Sequence, residues 1–268
     1  MDTSSAAAHS VWQQTRYTAD MSLFDGKVVV VTGASRGLGL GCAQAFAASG
    51  AEVVMISRGA EDLEQAAARL RADGGRARAL PCDVTDAAAV GALFAALPRC
   101  DVLVNNAGGN RPMPFLDVPL ETLDHLLDLN VRSMFVTAQA AARAMLRGGG
   151  SGGAIVHMSS QMGHVGAPNR SVYCMTKWAI EGLTKAMAVE LAPRGIRVNA
   201  VAPTYIETPL TRPFFEDAAF REDTLRRIPL GRIGSIDEVA AAVLFLCSPA
   251  ASLITGSSLL IDGGYTAQ

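Results

Sequence analysis

Short apolar runs dense in β-branched residues alternate along the chain with alanine- and leucine-rich stretches of helical period. The runs at 27–32 (KVVVVT), 52–57 (EVVMIS), 101–105 (DVLVN), 154–159 (AIVHMS) and 196–201 (IRVNAV) are mostly continuous rather than alternating in their apolar positions. Strands of that kind are buried on both faces, the habit of a parallel sheet. A weaker run at 76–82 and a last one at 258–261 bring the expected strands to seven. Helices are predicted over 38–49, 61–73, 86–97, 119–147, 172–191 and 236–247. Gly148 to Gly150 end the longest of them, and Pro193 with Gly195 stops the next. This alternation predicts an α/β fold: a doubly wound parallel seven-stranded sheet with helices on both faces. No Pro/Ser-rich linker divides it, so 23–268 reads as a single domain behind a polar, Ala/Ser-rich arm at 1–22. The arm reads equally as a linker, as the product of an alternative start (Met21 would make a natural one), or as a subunit-clasping tail.

Composition narrows the function classes. The chain is 50% apolar and 18% charged, which excludes a disordered protein. A net charge of −2 argues against a nucleic-acid binder that works by covering phosphates. No run reaches the roughly 18 apolar residues of a membrane span, and the N-terminus lacks the pattern of a secretory signal. The five cysteines (Cys42, Cys82, Cys100, Cys174, Cys247) are scattered, odd in number and without a C-x-x-C pair. They read as small core residues, neither a disulfide framework nor a zinc site, and fit a reducing, cytoplasmic location. The four histidines show no metal-ligand spacing, so no metal is expected.

The first strand runs directly into Thr32-Gly33-Ala34-Ser35-Arg36-Gly37-Leu38-Gly39, and a helix follows. Glycines there allow a tight turn and a close approach of a pyrophosphate, while the helix N-terminus offers free N–H groups to its charge. After the first strand of a doubly wound sheet, such a turn points to a dinucleotide and a Rossmann-like fold. The G-x-x-x-G-x-G spacing resembles the short-chain dehydrogenase/reductase family, over about residues 23–265. Further motifs carry the resemblance: Asn105-Asn106-Ala107-Gly108, Asn130 in LDLNVRSMF, Ser160 with Gly163, Tyr173 to Lys177, RVNAVAP followed by Thr208, and ITG…IDGG near the C-terminus. One departure is Thr204, where the family commonly has glycine after Pro203; it would narrow or polarise the nicotinamide end.

Tyr173 and Lys177 stand four apart on a predicted helix and so share a face. An ammonium beside a phenol is expected to lower its pKa from about 10 and make it a general acid/base near neutrality. The resemblance adds that Lys177 holds the nicotinamide ribose, Ser160 the substrate oxygen, and Asn130 a proton-relaying water. It also implies cofactor contacts at Gly33, Ser35, Arg36, Gly37, Leu38, Gly39, Asp83, Val84, Asn106, Ala107, Gly108, Pro203, Thr204, Ile206 and Thr208. Strand two ends in Ser57-Arg58 without the acid that would repel a 2′-phosphate, and Arg36 adds a second cation. NADP is therefore expected over NAD.

The expected reaction is hydride transfer between the nicotinamide and a secondary alcohol or its ketone. Arg111, Gln161, His164 and Asn169 are candidate substrate residues on polar loops, which suits a sugar, polyol or sugar acid. Phe214, Phe215 and Phe220 on the 205–230 stretch would equally suit a 3-ketoacyl thioester, and a non-catalytic NADP-sensing protein is the alternative of another class. The small-molecule substrate is the expected partner, with neither nucleic acid nor membrane. A homotetramer is also expected: Trp178 lies on an outward face of the 172–191 helix, and the resemblance implies pairing of the two long helices and of the 253–265 segment.

Overall fold

Four consecutive valines before Thr32 suit a buried extended strand, and they form the centre of the sheet in the computed structural model of the chain. The structure describes residues 22–147, 152–208 and 211–268, so the arm up to residue 21 and the glycines at 148–150 lie outside the described residues. The strands are β1 (Val28–Thr32), β2 (Glu52–Ser57), β3 (Arg76–Pro81), β4 (Val102–Asn105), β5 (Gly153–Met158), β6 (Ile196–Pro203) and β7 (Ser258–Ile261). All neighbours pair in parallel, in the order β3-β2-β1-β4-β5-β6-β7. The order reverses beside β1, where β1 lies between β2 and β4; ligands bind at such a switch point in open α/β sheets.

Successive residues feed opposite layers. Val29 and Val31 of β1 pack with α1 (Gly37–Ala48), α2 (Ala60–Ala72) and the C-terminal helix Ile236–Cys247. Val30 packs on the other side with α3 (Ala87–Ala96), the helix Ser133–Met145 and the helix Ser171–Leu191. Asp86 caps α3 by accepting from Ala88 and Ala89 N–H at 3.0 Å. Cys42, Cys100 and Cys247 lie in these layers, and all five cysteines are free thiols.

Two elements differ from the sequence expectation. The helix predicted over 119–147 is divided into α4 (Leu120–Leu127), a π turn at Asp128–Arg132, and α5 (Ser133–Met145). Every residue there is compatible with a helix, so hydrophobic period alone does not reveal the extra residue in the turn. After α6 (Ser171–Leu191), a stretch read as loop contains α7 (Ala218–Arg226), N-capped by Asp217. Its buried residue is Thr224, so no apolar stripe announces it. The last helix, α8 (Ile236–Cys247), starts in a Ser235/Glu238 capping box.

Candidate active site

The residues expected to touch a cofactor collect along the carboxyl edge of the sheet. Gly33 and Gly37 adopt φ of +65° and +57°, which favours glycine. A Cβ at Gly39 would run into the Gly33 carbonyl and lie 2.6 Å from Asn106 Nδ2, so the helix start packs against the turn. Thr32 Oγ1 accepts the N–H groups of Asn106 (2.9 Å) and Ala107 (3.0 Å), and Asn106 Nδ2 donates back to the Thr32 carbonyl (2.9 Å). These bonds tie the glycine turn to the Asn106-Ala107-Gly108 segment. Ser35 and exposed Arg36 sit in the turn, with Leu38 at the helix start.

After β2, Ser57 leaves its buried Oγ without a hydrogen-bond partner, beside exposed Arg58. After β3, Asp83 accepts from Thr85 N–H and Oγ1 at 3.0 and 2.8 Å. The backbone bond from Thr85 chiefly holds its carboxyl below the ordinary value, with Arg58 helping. Val84 is buried beside it. Asp83 thus bonds within its own turn, while the cap of α3 is Asp86. Beyond Pro203, Thr204 donates its N–H to Ile261 (3.1 Å) while its buried hydroxyl has no partner. Ile206 is buried and bridges to Gly234, and Thr208 Oγ1 lies 3.0 Å from Thr211 Oγ1. A tightly packed glycine turn at a helix start, with orphaned hydroxyls on Ser57 and Thr204 along the same edge, fits a nicotinamide dinucleotide.

The expected tetrad converges at the middle of that edge. Ser160 follows β5, is hydrogen-bonded to Tyr173, and accepts the Met162 N–H at 3.2 Å. Lys177 is buried, and its Nζ lies 5.5 Å from the Tyr173 ring centroid and donates to the Met158 carbonyl at 2.7 Å. Asn130 lies in the π turn: Oδ1 accepts the Gly109 N–H (2.8 Å), and Nδ2 donates to the Gly109 carbonyl (2.8 Å) and Thr176 Oγ1 (3.1 Å). Its side chain therefore fastens the loop after β4 to α6.

The electrostatics correct one expectation. Burial pushes the Tyr173 phenol above its ordinary pKa, while the Ser160 hydrogen bond and Arg170 act in the opposite direction. The pull toward the phenolate comes from Ser160 and Arg170 rather than from Lys177. Burial itself depresses the ammonium to about 8, with Glu181 opposing it.

The candidate substrate residues separate. Gln161 is buried beside Ser160 with its Oε1 unpartnered. Asn169 takes φ of +58°, and its carbonyl accepts the Met113 N–H at 3.0 Å, clamping two loops together. Arg111 is exposed. His164 instead turns inward to Glu181 and Ser258. A cavity of about 190 Å³ is lined by Asn169, Arg170, Tyr205, Phe220, Asp223 and Arg227, among others. Tyr205, Phe215 and Phe220 meet edge-on or tilted at 5.7–6.0 Å beside it. Of these, Asp223 and Arg227 carried no sequence signal, because α7 itself had none.

A family model described as enoyl-(acyl carrier protein) reductase matches residues 33–266. D-threitol dehydrogenase of Mycolicibacterium smegmatis is 42% identical over 247 residues, covering 90% of this chain and 94% of that protein. The chain belongs to the short-chain dehydrogenase/reductase family. Within this family, gluconate 5-dehydrogenase of Gluconobacter oxydans is 38% identical, covering 92% of this chain and 97% of the relative. A crystal structure of a Burkholderia cenocepacia gluconate 5-dehydrogenase in complex with NADP and tartrate superposes with a TM-score of 0.87 at 35% identity. It covers 92% of this chain and 99% of that one. Membership makes this chain a dehydrogenase/reductase that acts on alcohol groups and uses a nicotinamide cofactor.

Proposed function

We propose that the protein is an NADP-dependent oxidoreductase for a secondary alcohol, or the corresponding ketone, of a polyol, sugar or sugar acid. The observation that carries this reading is the junction of Ser160, Tyr173 and Lys177 beside the glycine turn. The NADP assignment rests on the orphaned Ser57 hydroxyl and the cations Arg36 and Arg58, with no acid at the end of β2. The substrate class rests on a cavity whose wall mixes charge of both signs with tyrosine, and on relatives that act on threitol and gluconate.

The backbone of Gly33, Ser35, Gly37, Leu38 and Gly39 would hold the pyrophosphate. Asp83 and Val84 would hold the adenine, and Asn106 to Gly108 the central part. Pro203, Thr204, Ile206 and Thr208 would hold the nicotinamide end. When bound, the nicotinamide supplies or accepts the hydride. Ser160 hydrogen-bonds the reacting oxygen of the substrate and holds it against Tyr173. The Tyr173 phenol, kept protonated by its burial, donates a proton to that oxygen as a ketone is reduced. Alcohol oxidation needs the phenolate, so it gains rate toward alkaline pH. Lys177 lends positive charge beside the ring and a donor for ribose hydroxyls. Asn130 anchors the loop that closes one wall.

A second reading, reduction of a 3-ketoacyl thioester, is favoured by the Tyr205–Phe215–Phe220 cluster as an apolar wall. A non-catalytic NADP sensor has no use for the tetrad. Purified protein assayed at 340 nm with each nicotinamide, over polyols, aldonates and acyl thioesters, separates the three. Turnover confined to the hydroxylated compounds and faster with NADP(H) is the expected result. Activity on thioesters alone, or none, overturns the reading.

The cellular setting completes the proposal. A cytoplasmic location fits the five free thiols, and no described helix is long and apolar enough to cross a membrane. A homotetramer fits two exposed apolar patches: Phe135, Met175 and Trp178 on α5 and α6, and Leu253, Leu259 and Leu260 around edge strand β7.

A further inference from the structure

The cavity of about 190 Å³ adjoins the reacting pair through two of its wall residues. Met162 donates its N–H to Ser160 Oγ at 3.2 Å, and half-buried Arg170 immediately precedes α6, one turn ahead of Tyr173. The cavity is smaller than the roughly 300 Å³ at which pockets for drug-sized ligands begin, which suits a compact polar compound over a long acyl chain. Its charges are not equally engaged. Asp223, the one carboxylate in the wall, gives one oxygen to Arg226 and the other to Arg227, the latter at 2.9 Å. Arg227 is held further: its side chain bonds to Tyr265, and its carbonyl accepts from Gln268 Nε2 at 2.9 Å. The Leu230 N–H on the Gly263 carbonyl (3.1 Å) fastens the same two segments again. Arg227 is therefore compensated. Arg170 differs: its guanidinium bonds to the Asn169 carbonyl at 3.3 Å, and among the described residues no carboxylate pairs with it.

We propose that Arg170 is the carboxylate-binding residue of the substrate cavity, and that the substrate is a sugar acid rather than a neutral polyol. The inference rests on the reading of the enzyme as a dehydrogenase of hydroxylated compounds and narrows it to their anionic members. A guanidinium takes a carboxylate through two parallel N–H···O bonds, each stronger than a bond to a neutral hydroxyl. The positive end of α6, directly after Arg170, adds to the same charge. A neutral polyol leaves that charge unmatched. Asp223 would repel an anion if it stood open, but both of its oxygens are taken by arginines. The other cation singled out on these loops, Arg111, is exposed and does not line the cavity. With the carboxylate on Arg170, the hydroxyl-bearing carbons extend toward Ser160 and Tyr173, where the secondary alcohol meets the phenol.

The test is calorimetric binding to the full chain saturated with NADPH, a state in which an alcohol cannot be oxidised. The probes are matched pairs, threonate with threitol and gluconate with glucitol, in which a hydroxymethyl replaces the carboxylate. The wild type is expected to bind the acid of at least one pair about tenfold or more tightly than its alditol. Arg170→Gln is expected to erase that preference. The Arg170 backbone is held apart from its side chain, since its carbonyl accepts the Cys174 N–H at 2.7 Å. Asp223→Asn releases Arg227 as a second cation and is expected to shift the other way, tightening the acid and leaving the alditol unchanged. Opposite signs separate a charge effect from damage to the fold. In turnover the loss falls on KM for the acid, whereas any influence of Arg170 on the Tyr173 phenol falls alike on both members of a pair. Equal binding of acid and alditol by the wild type, binding of neither, or a preference that survives Arg170→Gln overturns the proposal. If the glutamine variant does not fold, the absence of any gain for the acid in Asp223→Asn overturns it. Oxidation of the alditols with no preference for the acids removes this inference and leaves a polyol dehydrogenase standing. Turnover of no hydroxylated compound removes that broader reading, while the binding ratio still decides whether Arg170 takes a carboxylate.

Discussion

His157 gives the sharpest quantitative test of the structure. It lies on β5, fully buried, and neither ring nitrogen has a hydrogen-bond partner among the described residues. Burial, reinforced by the charge of Lys177, lowers its pKa to about 4. In the unfolded chain the ring titrates near 6.5. Between these values the unfolded state binds more protons than the folded one, so stability rises with pH across the window and falls as the medium is acidified. The complete difference, about 2.5 pH units, amounts to roughly 3 kcal/mol, of which roughly 2 kcal/mol is lost by pH 5. Lys177, with its midpoint near 8, stays mostly charged up to pH 7.5, and what little it loses there is common to both proteins. His157→Leu removes the titration and both unpartnered nitrogens at similar volume. Urea unfolding of both proteins at pH 5 and pH 7.5, at one protein concentration, measures the effect as a difference of differences. The variant is expected to lose about 2 kcal/mol less than the wild type between the two conditions. Equal losses, within about 0.5 kcal/mol, a tolerance set by the usual error of extrapolation, would refute the argument.

Three further outcomes follow from the site and its surfaces. Lys177→Ala is expected to lower turnover and also to weaken NADPH binding by about tenfold or more, since one ammonium serves both; unchanged affinity by calorimetry would remove the ribose contact. Ser57→Asp sets a carboxylate where the 2′-phosphate is proposed to lie, and should move the kcat/KM ratio toward NADH by about tenfold or more, the worth of roughly 1.4 kcal/mol; a wild type that already prefers NADH contradicts the assignment. Light scattering should give about four times the 27.9 kDa of one chain; a mass equal to one chain would leave Trp178 and Leu253 as mere surface, and a doubled mass would keep one of the two patches.

How much of this was legible in the sequence depended on whether the signal was local. The runs KVVVVT and EVVMIS located β1 and β2 to within a residue, because a buried parallel strand is written in consecutive residues. Tyr173 and Lys177 announced themselves by a helical interval, and the glycine turn by its place after β1. The π turn around Asn130 left no such trace, since one added residue changes no residue type. Helix α7 was missed because its polar residues, capped by Asp217, show no apolar face. The direction of the Tyr173 shift was misjudged for a related reason: proximity to Lys177 is a matter of spacing, but burial is a product of the whole fold. The pairing of Glu181 with His164 and Ser258 joins positions 17 and 77 residues away and could not be read from any interval.

The central claim is that the Tyr173 phenol moves the proton while the rest of the site binds. The direct measurement is turnover of Tyr173→Phe on the best hydroxylated substrate, taken together with its dissociation constant for NADPH. Phenylalanine keeps the ring that lies beneath Lys177 and loses the hydroxyl. The account predicts a fall in kcat of about 10² to 10⁴ with NADPH affinity within a few-fold of the wild type. A variant that keeps most of its kcat, in a protein that still binds NADPH, would contradict it.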